Sequence, residues 1–465
     1  MSQKSELDHS YPSNASAWYA VTILTIAYVV SFLDRQLLSL VVPLVKRDLL
    51  LTDTQVSLLL GLAFALFYTT MGIPIGRLAD KKSRRAIIAV GISFWCLMTA
   101  ACGLAKNYMQ LFLARVGVGV GEATLSPSSL SMIGDYFPKE KRGKALGVFN
   151  IGVSVGSGIA FIVGGQIIAY VATRENIVLP IIGEIFPWQA LFIMVGLPGL
   201  IVAALMMTVK EPKRTEKIVL ESDDGNSTDQ LSIKETINFI LERKSAYGWL
   251  FLSMACSVLI GYAFLSWMPT MYDRTYGIDF RTITMWLGIA FLVSGPIGAI
   301  GTGWLGDYVF KRYGGSAHIK LFAYTMIVLT IAATLVPLMP TYQLATLMFV
   351  PQAIMAAGQT ALAPLAILNI TPNQLRAQVA AIYFFVISLT GYTLGPTSVA
   401  LLTDYVFKDE SLISYSMAVV SLIVGVIGIF AGFMGIKPYR KYIETDKENP
   451  QRGLMWFQCS YARKN

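Results

Sequence analysis

Four ionisable side chains stand inside long apolar stretches of the sequence: Asp34 and Arg35 in the first stretch, Arg115 and Glu122 in the fourth. A charge at the centre of a membrane-spanning helix costs roughly 3 kcal/mol, so such residues mark function unless they are paired structurally. Carboxylates in that setting can take up and release protons, and a guanidinium can hold an anionic group. No histidine or lysine lies at comparable depth: His9 is in the polar N-terminus and His318 in a polar loop. A proton relay would therefore have to use Asp34 and Glu122. The same residues could instead form a static network pinning two helices, and Arg35 could serve either pairing or substrate contact. Cys96, Cys102, Cys256 and Cys459 have no metal-type spacing, and those inside apolar runs read as small hydrophobes. No metal or cofactor is expected, with protons as the coupling ion.

Helix geometry sets how these groups could meet. With a rise of about 1.5 Å per residue, Asp34 lies about 13 Å from the nearer end of its span and Arg115 about 12 Å into its own. Equal depth predicts an Asp34–Arg115 pair. Glu122 is seven residues beyond Arg115, on nearly the same face and about 10 Å deeper, where it is expected to face a dry or partly wet cavity. The glycines at 117, 119 and 121 predict close helix approach there.

The elements that must position these groups follow from composition. The chain has 465 residues, 55% hydrophobic and only 14% charged, with a mean hydropathy of +0.58. Soluble domains carry roughly 25% charge, so a cytosolic enzyme, a secreted disulfide scaffold and a disordered chain are excluded. Twelve apolar runs begin near Trp18, Thr54, Ala86, Tyr108, Ala145 and Trp188, then near Ala246, Ile283, Ile319, Tyr342, Ala377 and Ile413. Runs of this length span a bilayer as helices. The predicted fold is an all-α membrane protein of twelve transmembrane helices in two six-helix pseudo-symmetric bundles, residues 1–209 and 246–437. A linker at 210–245 and a tail at 438–465 complete it. The first apolar run follows a mixed-charge head and reads as a full span, so no cleavable signal is expected.

The formal net charge of +9 is unevenly placed. Lys81, Lys82, Arg84 and Arg85, then Lys139, Lys141, Arg142 and Lys144, the linker, Lys311, Arg312, Lys320, Arg376 and the tail share one side, which the positive-inside rule makes cytoplasmic together with both termini. The linker holds the capping-box pattern Ser232–Glu235 ahead of Ile237, Phe239, Ile240 and Leu241. That pattern predicts an amphipathic helix on the inner leaflet or a solvated tether with a helical patch. Met455-Trp456-Phe457, among basic residues of the tail, could also touch headgroups.

The halves echo each other. Gly76-Arg77-Leu78-Ala79-Asp80 recurs as Gly303-Trp304-Leu305-Gly306-Asp307, and Pro138 with Arg142 recurs as Pro372 with Arg376. Similar offsets at equivalent loops predict a duplicated six-span unit, a design that places substrate near the midplane.

The segment Gly76-Arg77-Leu78-Ala79-Asp80-Lys81-Lys82-Ser83-Arg84-Arg85 resembles the signature of the major facilitator superfamily, with Ser83 at a usual glycine. The resemblance covers all twelve spans. It implies that Asp80, Arg84 and Arg85 hold a cytoplasmic gate, which Asp135 could join; the alternative is simple anchoring at the membrane boundary. Phe32-Leu33-Asp34-Arg35-Gln36, and Arg115 to Ala123 with Ser126-Pro127, are similar to the spinster branch. That likeness implies a lipid transporter moving lysolipids or sphingolipid-like amphiphiles, proton-driven in bacterial members. Asp34 and Glu122 would be its protonatable carboxylates and Arg115 its conformational and substrate-linked cation. The antiporter pattern of span 5 keeps Gly147, Gly152, Gly156 and Gly158 but has Ser157 where a proline is expected.

Spans 7 to 12 offer aromatic and amide groups instead of charges. Tyr262, Trp267, Gln359, Asn369 and Tyr383 are candidates for cavity lining, with packing the alternative for each. The leading expectation is a proton-coupled carrier of amphipathic lipids working by alternating access, as a monomer in a bacterial inner membrane. Its partners would be membrane lipids and an amphipathic small molecule, with no nucleic acid. A carrier of organic anions or hydrophobic drugs is the second reading. A membrane-embedded enzyme would need an intramembrane nucleophile, histidine or metal cluster. An ATP-driven pump would need a phosphate-binding loop, and none is present in the sequence.

Overall fold

The computed structural model describes residues 12–171, 177–179, 183–214, 233–314, 316–372 and 375–448. Among them, eleven helical stretches are long and apolar enough to cross a membrane. The chain falls into two compact units, Met1–Leu51 with Ala63–Asp229, and Thr52–Leu62 with Gln230–Asn465.

The first unit opens with α1 (Asn14–Leu49), whose N-cap Ser13 accepts from the Ser16 N–H. It continues with α3 (Leu62–Lys81), which follows the short α2 (Asp53–Leu60), then α4 (Arg84–Cys102), α5 (Tyr108–Glu122) and α6 (Leu125–Tyr136). The fourth apolar run was expected as one helix. It is instead interrupted at Ala123–Thr124, where the Thr124 hydroxyl donates to the Gly121 carbonyl. A hydroxyl bonding back to its own turn competes with the helix ladder. Neither half is long enough alone to count as a span, so the eleven long stretches and this interrupted pair make up the twelve predicted.

Beyond it lie α7 (Lys139–Ile159), a wide helical turn over Ala160–Gly164, α8 (Gly165–Val171), α9 (Pro187–Gly196) and α10 (Gly199–Thr208). A short antiparallel hairpin, β1 (Ile177–Leu179) with β2 (Gly183–Ile185), was not expected from the sequence. Helix α1 packs along α7, where Tyr28 stacks on Phe149 with ring centroids 4.5 Å apart, and α4 packs between α5 and α10.

The second unit contains α11 (Ile233–Glu242), α12 (Lys244–Tyr276), α13 (Phe280–Tyr313), α14 (Ala317–Leu335), α15 (Tyr342–Asn369), α16 (Arg376–Leu389), α17 (Gly395–Leu401) and α18 (Ile413–Glu448). It also takes in Thr52–Leu62, which the sequence reading had placed with residues 1–209. That segment packs on α17, and the Asp404 carboxylate accepts from both the backbone N–H and the hydroxyl of Thr54 at 2.7 Å each. The last helix continues through the expected start of the tail at 438 to Glu448 and tolerates Pro438 within it.

A second wide turn, Thr390–Leu394, sits 230 residues after the first (390 minus 160). This matches the sequence offsets and adds a backbone feature to the internal repeat; such wide turns concentrate at functional positions. Large apolar side chains such as Val90, Leu113, Ile201, Ile300 and Leu347 are exposed on the helices. That surface suits lipid, not water.

In the linker, α11 is present as expected and starts one residue after Ser232, which lies outside the described residues. Phe239 and Thr236 are buried, and the Thr236 hydroxyl donates to Gln378. Ile237 and Leu241 are exposed. Met455-Trp456-Phe457 also lies outside the described residues.

Candidate functional site

The four intramembrane charges come together in the first unit, but not in the expected pairing. Glu122, the last residue of α5, is buried, and its Oε2 accepts from Arg35 Nε and from the Ser31 hydroxyl, both at 2.6 Å. Arg35 lies one turn beyond Ser31 on α1, so one helix face presents both donors. The Arg35 guanidinium carbon also sits 4.6 Å from the ring centroids of Phe32 and Phe64 and 4.8 Å from that of Tyr68. Aromatic faces stabilise a desolvated cation, which explains how a guanidinium persists at 8% exposure.

Asp34 points elsewhere. It is fully buried, and its Oδ2 accepts from the Thr99 hydroxyl on α4 at 3.3 Å. The predicted Asp34–Arg115 ion pair is not formed. Residues 34 and 35 are rotated about 100° apart on one helix, so only one of them can face Glu122. Arg115 is buried beside Phe64, its guanidinium carbon 5.7 Å from the ring centroid. Asp34 Oδ1, Glu122 Oε1 and Arg115 Nε meet no hydrogen-bond partner among the described residues. Buried polar atoms are nearly always satisfied, so three unsatisfied ones in a single cluster mark a site with work beyond packing.

Close helix approach makes the cluster possible. A Cβ on Gly119 would lie 2.5 Å from the Phe64 carbonyl oxygen, and one on Gly121 2.7 Å from Trp95 Cβ. The run of glycines therefore has the packing role foreseen for it, and that role draws α3, α4 and α5 around the charges.

At the linker-side ends of α4 and α6 lies a second polar cluster. Arg84 is buried; its Nη1 donates to Ser131 at 2.9 Å and to Asp135, its Nε to Glu211 at 2.9 Å and its Nη2 to the Pro212 carbonyl at 3.1 Å. Glu211 Oε2 accepts from the Ser83 hydroxyl and the Arg85 backbone N–H, both at 2.9 Å. Arg85 reaches the Met207 and Val209 carbonyls, and Arg214 donates to those of Ala79 and Lys82. The Asp135 partnership is thus present. Asp80 is helical, but its side chain lies outside the described residues. Ser83 fits its position: its φ of −65° needs no glycine, and its hydroxyl caps α4 by accepting from Ala86 N–H. Burial alone would raise the Glu211 carboxyl, but the bonds from Arg85, Arg84 and Ser83 outweigh it and hold the group below its ordinary range.

Sequence reasoning missed Glu211, having read it as part of a tether. The available signal was a lone acid among Lys210, Lys213 and Arg214, opposite a basic loop. It also missed an ion pair in the second unit. Arg274 grips Asp53 bidentately, Nη1 to Oδ2 at 2.7 Å and Nη2 to Oδ1 at 2.9 Å, with Glu410 at 3.2 Å.

The aromatic and amide candidates of the second unit are mostly engaged in packing. Trp267 is fully buried and donates to the Pro396 carbonyl at 2.9 Å. Gln359 is buried between the Ser257 and Thr325 hydroxyls. Tyr383 is buried against Phe251 and Phe384. Trp267, Gln359 and Tyr383 are thus each engaged by packing or hydrogen bonds within the second unit. Tyr262 is half-buried and bonds the Tyr392 hydroxyl at 2.5 Å, and exposed Asn369 meets His318 Nδ1 at 2.9 Å. Among the described residues no cluster of side chains could hold a metal ion.

A sequence model described as Major Facilitator Superfamily matches residues 24–396. A protein of Escherichia coli (strain K12) named as a probable L-galactonate transporter is 27% identical over 307 residues, 65% of this chain and 63% of that protein. Protein spinster of Drosophila melanogaster is 25% identical over 308 residues, 64% of this chain and 47% of that one. The chain thus spans less than two thirds of either relative's own length. Among solved structures, a bacterial homolog of the human lysosomal transporter Spinster, in an inward-facing and unoccupied conformation, aligns with a TM-score of 0.74 at 24% identity, covering 93% of this chain and 99% of that one. At that identity the likeness establishes the fold alone.

Proposed function

The chain belongs to the Major Facilitator Superfamily, a family of membrane transporters and not of enzymes, and from that premise we propose that it is a proton-coupled carrier of amphipathic lipids. The observation that carries this reading is the buried cluster in which Glu122 holds Arg35 while Asp34 Oδ1, Glu122 Oε1 and Arg115 Nε meet no hydrogen-bond partner among the described residues. A proton arriving at Glu122 weakens its hold on Arg35, because a neutral acid keeps the hydrogen bond and loses the charge attraction. Arg35, already surrounded by three rings, and Arg115 beside it then offer cationic faces to an anionic head, with the aromatic side chains against its apolar portion. Alternating access couples that exchange to movement, with Asp34 as the second proton-binding carboxylate. The cytoplasmic gate in this reading uses Arg84, Arg85, Asp80 and Asp135, with both termini cytoplasmic in a bacterial inner membrane and the monomer as the working unit. Lipid cargo is favoured by the resemblance of Phe32–Gln36 and Arg115–Ala123 to the spinster branch and by the apolar-aromatic surround of the charges.

A sugar acid is the second reading, favoured by the similarity to a probable L-galactonate transporter. A single proteoliposome experiment separates them. With pH set independently on each side, flux is followed for a lysophospholipid and for galactonate, in the wild type and in Asp34→Asn and Glu122→Gln. The proposal expects lysophospholipid flux driven by the pH difference, with that dependence lost in both variants. Galactonate flux without lysophospholipid flux overturns the lipid assignment, and unchanged proton dependence in both variants overturns the coupling role.

A further inference from the structure

Where α4 ends and α5 begins, at the membrane boundary opposite the Arg84 cluster, the first unit has a cavity of about 580 Å³ lined by Met98, Ala101, Leu104, Leu113 and Ala114, with Lys106 and Gln110 at its rim. It is an open groove and not an enclosed chamber. Small side chains leave room for it: Ala101 of α4 and Ala114 of α5 line it together with the longer Leu104 and Leu113. Both leucines are largely exposed, so the groove opens on the apolar outer surface of the helices.

The rim is built differently. Gln110 Oε1 accepts from the Lys106 backbone N–H at 2.7 Å, which ties the connecting loop to the first turn of α5, and Lys106 itself lines the groove. The Gln110 amide nitrogen remains as a donor on the same rim. No acidic residue is among those lining the groove. An apolar slot with one cation and one amide donor at its end is complementary to an amphiphile with an anionic head.

We propose that this groove binds an anionic phospholipid of the surrounding leaflet, its acyl chain between Leu104 and Leu113 and its phosphate on Lys106 and Gln110. This site is separate from the Arg35–Glu122 cluster and stands whether or not the transported molecule is a lipid. The tail by itself supplies little preference, because an acyl chain leaves surroundings as apolar as those it enters. Selection must come from the rim, and the test follows from that.

The purified full-length protein, stripped of lipid in detergent, is offered equal amounts of phosphatidylglycerol and phosphatidylcholine, and retained lipid is counted by native mass spectrometry. A near-surface charge pair predicts about a threefold preference for phosphatidylglycerol. Lys106→Gln abolishes that preference, lowering phosphatidylglycerol retention more than that of phosphatidylcholine, whose phosphate is neutralised by its own choline; Lys106 is exposed, so the variant folds. Ala101→Phe, or the smaller Ala101→Leu should the first not fold, fills the slot and lowers retention of both lipids. Inorganic phosphate in excess does not displace the lipid. An unchanged preference in Lys106→Gln, unchanged retention in a folded Ala101 variant, or displacement by inorganic phosphate each overturns the proposal.

Discussion

The pairing of Arg35 with Glu122 can be tested by a thermodynamic cycle whose terms are readable from the contacts. Arg35→Ala removes one partner of an ion pair in which Arg35 has 7% and Glu122 0% side-chain exposure. Breaking a buried pair from one side costs about 3–5 kcal/mol, because the remaining charge has no compensation. Among the described residues, Ser31 would be the one hydrogen-bond donor left on the Glu122 carboxylate. The substitution also removes the guanidinium from Phe32, Phe64 and Tyr68, a loss of about 1–3 kcal/mol in total. Glu122→Gln is milder: an amide oxygen still accepts from Arg35 and Ser31, and the loss is the difference between charged and neutral hydrogen bonds, about 1–2 kcal/mol.

In the double variant the stranded carboxylate is gone and only the ring contacts remain lost. The ring loss cancels in the cycle, which should therefore show a coupling of about 4–7 kcal/mol, with Glu122→Gln partly rescuing Arg35→Ala. Thermal unfolding of the four proteins in one detergent, followed by the burial-sensitive reactivity of Cys96 or Cys102, measures the order. Melting temperatures should rank wild type, Glu122→Gln, double variant, then Arg35→Ala. Strict additivity, with the double variant the least stable, would refute the claim that Arg35 is held chiefly by Glu122.

Glu211→Ala should undo the docking of residues 210–214 and make the chain several-fold more susceptible to trypsin at Lys213 and Arg214, since the contacts of Arg84, Arg85 and Ser83 with the carboxylate all go. Because the carboxyl sits below its ordinary value of 4.5 when docked, the contact strengthens the fold above that pH and is lost as pH falls through the docked value. Trypsin-independent probes such as spin-label mobility at Arg214→Cys should then change only below pH 4.5. Arg274→Ala should cost about 1.5–3 kcal/mol through the lost bidentate bonds to the fully buried Asp53, whereas Glu410→Ala should move the melting temperature little because Glu410 is 58% exposed; equal effects would contradict the assignment of Asp53 as the principal partner of Arg274. Trp267→Phe should cost about 1 kcal/mol from the lost indole bond to the Pro396 carbonyl, read as a lower melting temperature.

Much of this molecule can be read in one dimension. Hydropathy runs set the spans, because backbone groups in lipid must be satisfied within a helix, and the repeat at Asp80 and Asp307 is visible as letters. Asp34, Arg35, Arg115 and Glu122 announce themselves because an ionisable group in an apolar run is costly wherever the run is placed. What the letters do not contain is how each helix is rotated about its own axis against the next. Depth along the axis predicted Asp34 with Arg115; rotation of α1 against α5 instead turned Arg35 to Glu122 and Asp34 to Thr99. Glu211 and the Asp53–Arg274 pair were hidden for the same reason, since each joins segments at least 126 residues apart whose meeting depends on helix packing and not on spacing. Residue type and depth are local properties of the chain, while partner choice is a property of packed faces, and only the tertiary structure decides it.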